Sequence, residues 1–136
     1  MKSKDKEKLL RETALVRVNS YSPYSKFRVG AGALLKNGEV ITGVNIENAS
    51  YPCGICAERS ALSGVYSKGY RKEDIIAFAI SCDKKEFITP CGMCLQVMSE
   101  LLDGDCPVFL LNNKSEVKEL KVKKLLPYAF SLDGNK

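Results

Sequence analysis

Between Lys4 and Val18, the apolar residues Leu9, Leu10, Ala14, Leu15 and Val18 fall at helical spacing among charged neighbours, which predicts an amphipathic first helix. Asn19 to Lys26 contains Ser22-Pro23-Tyr24-Ser25 and reads as an irregular loop. Phe27 to Leu35 and Glu39 to Ile46 are rich in Val, Ile, Leu, Ala and Gly, with Asn37-Gly38 between them. That pattern predicts two strands joined by a type I′ hairpin turn, whose two central residues both take positive φ. After a loop through Asn48, Ser50 and Pro52, a second helix is expected from about Cys56 to Lys68.

Ile75 to Ser81 is a continuous apolar run of strand length, as expected of a strand buried on both faces. Pro90 leads into a third helix, about Gly92 to Leu102. Pro107 to Leu111 reads as a fourth strand and Val117 to Val122 as a weaker fifth, while Leu125-Leu126-Pro127 opens a C-terminal turn or short helix. The order α-β-β-α-β-α-β-β, without repeat or linker, predicts an α/β fold with three α/β/α layers around a central mixed five-stranded sheet. At 136 residues it is expected to form a single domain, residues 1–136.

Composition narrows the class. Hydrophobic residues make up 45% and charged residues 27%, an ordinary globular balance. Met1 to Lys8 is highly charged and no long apolar segment follows, so neither a secretory leader nor a membrane span is expected. A cytoplasmic location follows, and there clustered cysteines point to metal or catalysis rather than disulfides. The net charge of +5 arises largely from lysines near the N-terminus and between Lys114 and Lys124, interspersed with Glu and Asp. These read as solvated faces, not as a nucleic-acid patch.

The six cysteines are Cys53, Cys56, Cys82, Cys91, Cys94 and Cys106, and the chain has no histidine. A transition-metal site must therefore use thiolates and carboxylates, and proton transfer must use something other than imidazole. Cys56-Ala57-Glu58 is followed, after the 34 residues 57–90, by Cys91-Gly92-Met93-Cys94. Three thiolates and an open fourth position make a catalytic zinc site, and Glu58 is placed to take a proton from water there. Both cysteine segments begin predicted helices, whose positive ends would offset the excess charge of three thiolates on a dication, as would Arg59. Cys53-Gly54-Ile55-Cys56 with Cys91 to Cys94 could instead form a closed four-cysteine structural site. The long gap, which holds a predicted helix and strand, and the otherwise idle Glu58 weigh against that reading. Cys82 and Cys106 read as small buried hydrophobes.

Ser22 to Phe27 with Val29-Gly30-Ala31, Gly43 to Pro52, Gly54 to Arg59, Pro90 to Cys94 with Gln96-Val97, and Leu125-Leu126-Pro127 with Phe130 span most of the chain. Together these segments resemble the small, homotetrameric cytidine deaminases. The resemblance implies one zinc ion per chain on Cys56, Cys91 and Cys94, and hydrolysis of cytidine and deoxycytidine at C4 with release of ammonia. It implies that Glu58 protonates N3 and then the departing amine, and that the Ala57 amide holds the base carbonyl. Phe27 would pack on the nucleoside, and Asn45 and Glu47 would bind the ribose, including its 3′-hydroxyl. Strand alternation would turn that pair the same way.

Tyr51 and Phe130 match positions that the family lends to a neighbouring subunit's pocket, which implies a homotetramer with shared sites. Two positions depart from the family pattern: Leu95 stands where Arg is common, and Cys53, read as a packed or idle thiol, where an apolar residue is usual. A nucleic-acid-editing deaminase fits less well, since Glu47 would repel a 3′-phosphate and no basic stripe interleaves with aromatics. A deaminase of nucleoside antibiotics fits a plain-ribose pair less well too.

Overall fold

Strand β1 (Val29–Leu35) shows how the layers arise, because successive side chains of a strand leave on opposite faces. In this computed structural model, which describes residues 1–132, Ala31, Ala33 and Leu35 enter one apolar cluster and Leu34 enters the other. The last four residues of the expected 1–136 domain lie outside the described residues.

β1 pairs antiparallel with both β2 (Val40–Val44) and β3 (Ile75–Cys82). β3 runs parallel to β4 (Pro107–Leu111), which pairs antiparallel with β5 (Val117–Lys121). The sheet order is β2-β1-β3-β4-β5, the mixed five-stranded sheet that the sequence predicts. β3 is central and almost wholly buried, which accounts for its unbroken apolar run. β5 is an edge strand whose residues are mostly exposed, hence its weak signal.

Helix α1 (Ser3–Val16) covers one face of the sheet, with Leu9 packed among Leu34, Ala77, Ala79 and Phe109. Helices α2 (Ala57–Ser67) and α3 (Gly92–Leu101) cover the other, where Ala61, Leu62, Val65 and Met98 join Phe78, Ile80, Val108 and Leu110. A single turn, α4 (Val122–Leu125), closes that core with Val122. No helix among the described residues is long and apolar enough to cross a membrane.

Gly43 sets the distance between α2 and the sheet. A Cβ at this position would lie 2.4 Å from the Ala61 main-chain nitrogen, so only glycine lets the helix lie so close.

Several boundaries differ from the sequence reading; β5 gives up Val122 to α4, which ends at Leu125 where a C-terminal turn or helix was expected to open. α1 ends at Val16 and a 3-10 turn, Arg17–Asn19, replaces its predicted last residues. β1 starts at Val29 and not Phe27, because the preceding segment turns back on itself: the Lys26 N–H donates to the Ser22 carbonyl at 3.0 Å, with Lys26 at φ +59°. The hairpin is not type I′. Gly38 has φ +88° but Asn37 does not adopt positive φ, and its side-chain oxygen accepts from the Glu39 N–H at 2.9 Å. The result is a three-residue connection closed by the Gly38 N–H on the Leu35 carbonyl. Finally, β2 stops at Val44, and Ile46 forms isolated bridges to Tyr21 on one side and Ile55 on the other.

Candidate active site

Two helix starts meet at the cysteines. Cys56 is the N-cap of α2 and Cys91 the N-cap of α3, both with extended backbone and neither capping its helix with its side chain. Cys94, fully buried, lies in the first turn of α3. The three sulfurs lie within 4.8 Å of one another, with Cys56 Sγ and Cys91 Sγ 3.9 Å apart. Two thiolates sharing a tetrahedral zinc at ~2.3 Å stand about 3.8 Å apart, so these residues fit that ion. Cys53 lies outside the group: it is exposed, in the 3-10 turn Tyr51–Cys53, with its thiol 3.5 Å from Ser50 Oγ. It is therefore not packed, and the four-cysteine alternative loses its fourth ligand. Cys82 and Cys106 are buried, as the sequence suggests.

The electrostatics suit a thiolate cluster. The positive ends of α2 and α3 face it, and Arg59 Nη2 donates to Cys56 Sγ at 3.7 Å. The bond from the Cys94 thiol, followed by that from Arg59, holds Cys56 down at about 5 against the opposing effect of burial. Cys94, the donor in that bond, moves upward, and burial adds to the shift. A bound cation draws the remaining protons off.

Glu58 lies in the first turn of α2 with only 5% of its surface exposed. Burial, reinforced by the charge on Cys56, lifts its carboxyl to about 7, against the pull of its own N–H and of Arg59. Such a group can both take up and release a proton near neutral pH.

A cleft of about 430 Å³ opens onto this cluster, and Phe27, Asn45, Glu47, Ala57, Glu58 and Cys91 are among its walls. Its volume lies within the range of small-molecule sites. Arg59 and Tyr51 also reach it. Asn45 and Glu47 flank Ile46, which lies beyond the end of β2 but is bridged on both sides, and both line the one cleft, as residues two apart on an extended segment do.

Asn45 is tied into the chain: Oδ1 accepts from the Val29 N–H at 2.9 Å and from the Ser20 hydroxyl, and Nδ2 donates to the Phe27 carbonyl at 2.8 Å. Glu47 accepts from the N–H groups of Tyr24 and Ser25, at 3.0 and 3.1 Å, and from the Ser25 hydroxyl. These bonds, led by the hydroxyl, hold its carboxyl below the ordinary value.

Tyr51 lines this chain's own cleft, whereas the sequence resemblance assigns it to a neighbour's. Phe130 does not line the cleft; it is 69% exposed and its carbonyl accepts from Gln96 Nε2 at 3.1 Å. The sequence reading gave no role to Ile88 and Thr89, which wall the cleft just before Pro90-Cys91, nor to Ser20 and Ser25. Adjacency to the cysteine motif was a usable signal for the first pair. The serines bond residues 22 or more positions away, for which a single sequence carries no local signal.

Known proteins share this construction. A cytidine deaminase of Halalkalibacterium halodurans is 46% identical over 129 residues, spanning 95% of this chain and 96% of the relative. One from Sporosarcina psychrophila is 44% identical, over 93% and 92% of the two chains. The crystal structure of cytidine deaminase from Burkholderia pseudomallei superposes with a TM-score of 0.88 at 38% identity, covering 96% of this chain and all of that one. The family model for the cytidine and deoxycytidylate deaminase zinc-binding region matches residues 3–110, a span that contains α1 to α3, the central strands, the three clustered cysteines and Glu58. The chain therefore belongs to the zinc-binding cytidine and deoxycytidylate deaminase family.

Proposed function

We infer that this chain is a hydrolase that removes the exocyclic amine of cytidine and deoxycytidine, yielding uridine or deoxyuridine and ammonia, a reaction of pyrimidine salvage. The observation that carries the reading is a buried carboxyl, Glu58, beside three clustered cysteines in a cleft of nucleoside size. Zinc held by Cys56, Cys91 and Cys94 supplies a Lewis acid that makes water acidic near neutral pH. Glu58 takes the proton from the attacking water, delivers it to N3 of the ring and carries a second proton to the departing amine. Its place near neutrality suits it to both halves of that shuttle.

The Ala57 N–H lies in the first turn of α2, where no intrahelical acceptor exists, so it is free to hold the base carbonyl. Phe27 packs on the nucleoside, and Glu47 and Asn45 face its sugar. Arg59 tempers the charge of the thiolates. In this reading the chain works as one deaminase domain in the cytoplasm, on free nucleosides and not on nucleic acid. Phe130, 69% exposed and outside this chain's own cleft, favours a homotetramer in which its ring reaches a neighbouring cleft, while Tyr51, 79% exposed, stands at the open rim of its own.

The test is Glu58→Gln with zinc quantified. The variant should fold, keep one zinc per chain and lose about 10²- to 10⁴-fold in kcat, the scale of a general acid–base contribution. Cys53→Ser should keep both zinc and activity. Full turnover in the first variant, or zinc loss in the second, overturns the mechanism.

A further inference from the structure

The segment Ser22 to Phe27 is built around Glu47. The Lys26 N–H on the Ser22 carbonyl, at 3.0 Å, closes a single tight turn. Its Tyr24 and Ser25 N–H groups have no acceptor inside such a turn, and both donate to Glu47 Oε1, at 3.0 and 3.1 Å. The Ser25 hydroxyl has two tasks: it donates to Glu47 Oε2 and accepts from the Phe27 N–H at 3.0 Å. Phe27 is held from its other side by Asn45 Nδ2 on its carbonyl, at 2.8 Å. One exposed serine thus connects a carboxylate and an aromatic residue that line the same cleft.

We propose that Ser25 is a positioning residue for substrate affinity, fixing the Glu47 carboxylate in the orientation that receives the sugar 3′-hydroxyl. The proposal rests on the reading that Glu47 binds the sugar. A free glutamate side chain gives up about 1.5–2 kcal/mol of rotamer freedom when a ligand orders it. Glu47 meets that cost in the unliganded fold, since three donors already hold it. Oε1 is filled by the two N–H groups, but Oε2 accepts only the Ser25 hydroxyl and retains acceptor capacity, so these bonds do not consume the site. Lys26 at φ +59° belongs to the same device, because its left-handed backbone turns the chain from the donor turn toward Phe27.

The experiment compares kcat and KM for ammonia release from cytidine and 3′-deoxycytidine, using zinc-loaded enzyme with the natural sequence and its Ser25→Ala, Ser25→Thr and Glu47→Gln variants. Ser25→Ala should raise KM for cytidine about tenfold with kcat within twofold, and should change KM for 3′-deoxycytidine by less than twofold. Ser25→Thr keeps the hydroxyl, places its methyl in solvent and should restore KM to within threefold. Equal losses on both substrates would make Ser25 merely structural and overturn the proposal. A natural KM for cytidine in Ser25→Ala would overturn it too. If the natural enzyme and Glu47→Gln both treat the two substrates alike, the underlying sugar reading of Glu47 fails instead, which separates the two claims.

Discussion

Gly43→Ala tests whether the contact between α2 and the sheet fixes the chemistry. The added Cβ lies 2.4 Å from the Ala61 nitrogen and 2.9 Å from its Cα, where ordinary contact begins near 3.4 Å. Both partners are backbone, so no flexible side-chain end can yield, and α2 must retreat by about 1 Å. That helix carries Cys56 at its cap and Glu58 in its first turn, whereas Cys91 and Cys94 belong to α3. The retreat therefore pulls Cys56 from the other two clustered cysteines and draws Glu58, the proposed proton carrier, out of line. Overpacking should cost about 1–3 kcal/mol of stability, and a displacement of this size about 10²-fold in kcat. Urea unfolding at fixed protein concentration, zinc per chain and ammonia release measure the three effects. Gly64→Ala is the control on the same helix. Its Cβ meets only the Cγ2 methyl of Ile41, at 3.2 Å, which a few tenths of an ångström of side-chain movement relieves, and alanine gains up to ~1 kcal/mol of helix propensity. The control should keep kcat within twofold. A Gly43→Ala protein with unchanged stability and kcat would refute the claim that this contact positions the site.

Chelation should abolish turnover and lower the unfolding midpoint, because Cys56, Cys91 and Cys94 then lose the cation that unites α2 with α3. Zinc should restore both, and magnesium or calcium neither, since hard cations prefer oxygen ligands. A short cytosine-containing oligonucleotide should be deaminated at less than a hundredth of the rate on cytidine, since a 3′-phosphate would meet the Glu47 carboxylate. Equal rates on the two would reject the free-nucleoside reading.

What could be read from the sequence follows the range of the forces involved. The Ile75–Ser81 run announced a central strand because burial on both faces leaves room only for apolar residues. Cys56 and Cys91 were legible as helix starts because the apolar pattern resumes just after each. The hairpin was placed correctly but its turn was misjudged: the Asn37 side chain caps the Glu39 N–H, which favours a three-residue connection with only Gly38 at positive φ. Asn45 and Glu47 line one cleft, as their spacing of two suggests, although β2 itself stops at Val44. Main-chain bridges at Ile46 present them, and main-chain bonds write nothing into side-chain pattern. The bonds of Ser20 to Asn45 and of Ser25 to Glu47 stayed silent because these partners are distant along the chain and close only in the fold.

Ile46 ties together the two halves of the cleft. Its N–H and carbonyl bond to Ile55, at 2.9 and 3.0 Å, immediately before the ligand Cys56. The flanking Asn45 carbonyl and Glu47 N–H bond to Tyr21, at 3.1 and 2.8 Å, at the edge of the turn that holds Glu47. The side of the cleft proposed to hold the sugar therefore hangs on a short main-chain ladder secured by hydroxyl and amide side chains. The chemical side is mounted on two helix starts packed against the sheet. Groups fixed on packed helices are held more tightly than groups on loops, and the reaction requires the tighter tolerance. Changes at the helix starts should accordingly act on kcat, and changes in the Ser20–Phe27 segment on KM. The two can vary separately because the ladder at Ile46 fixes their spacing through backbone alone.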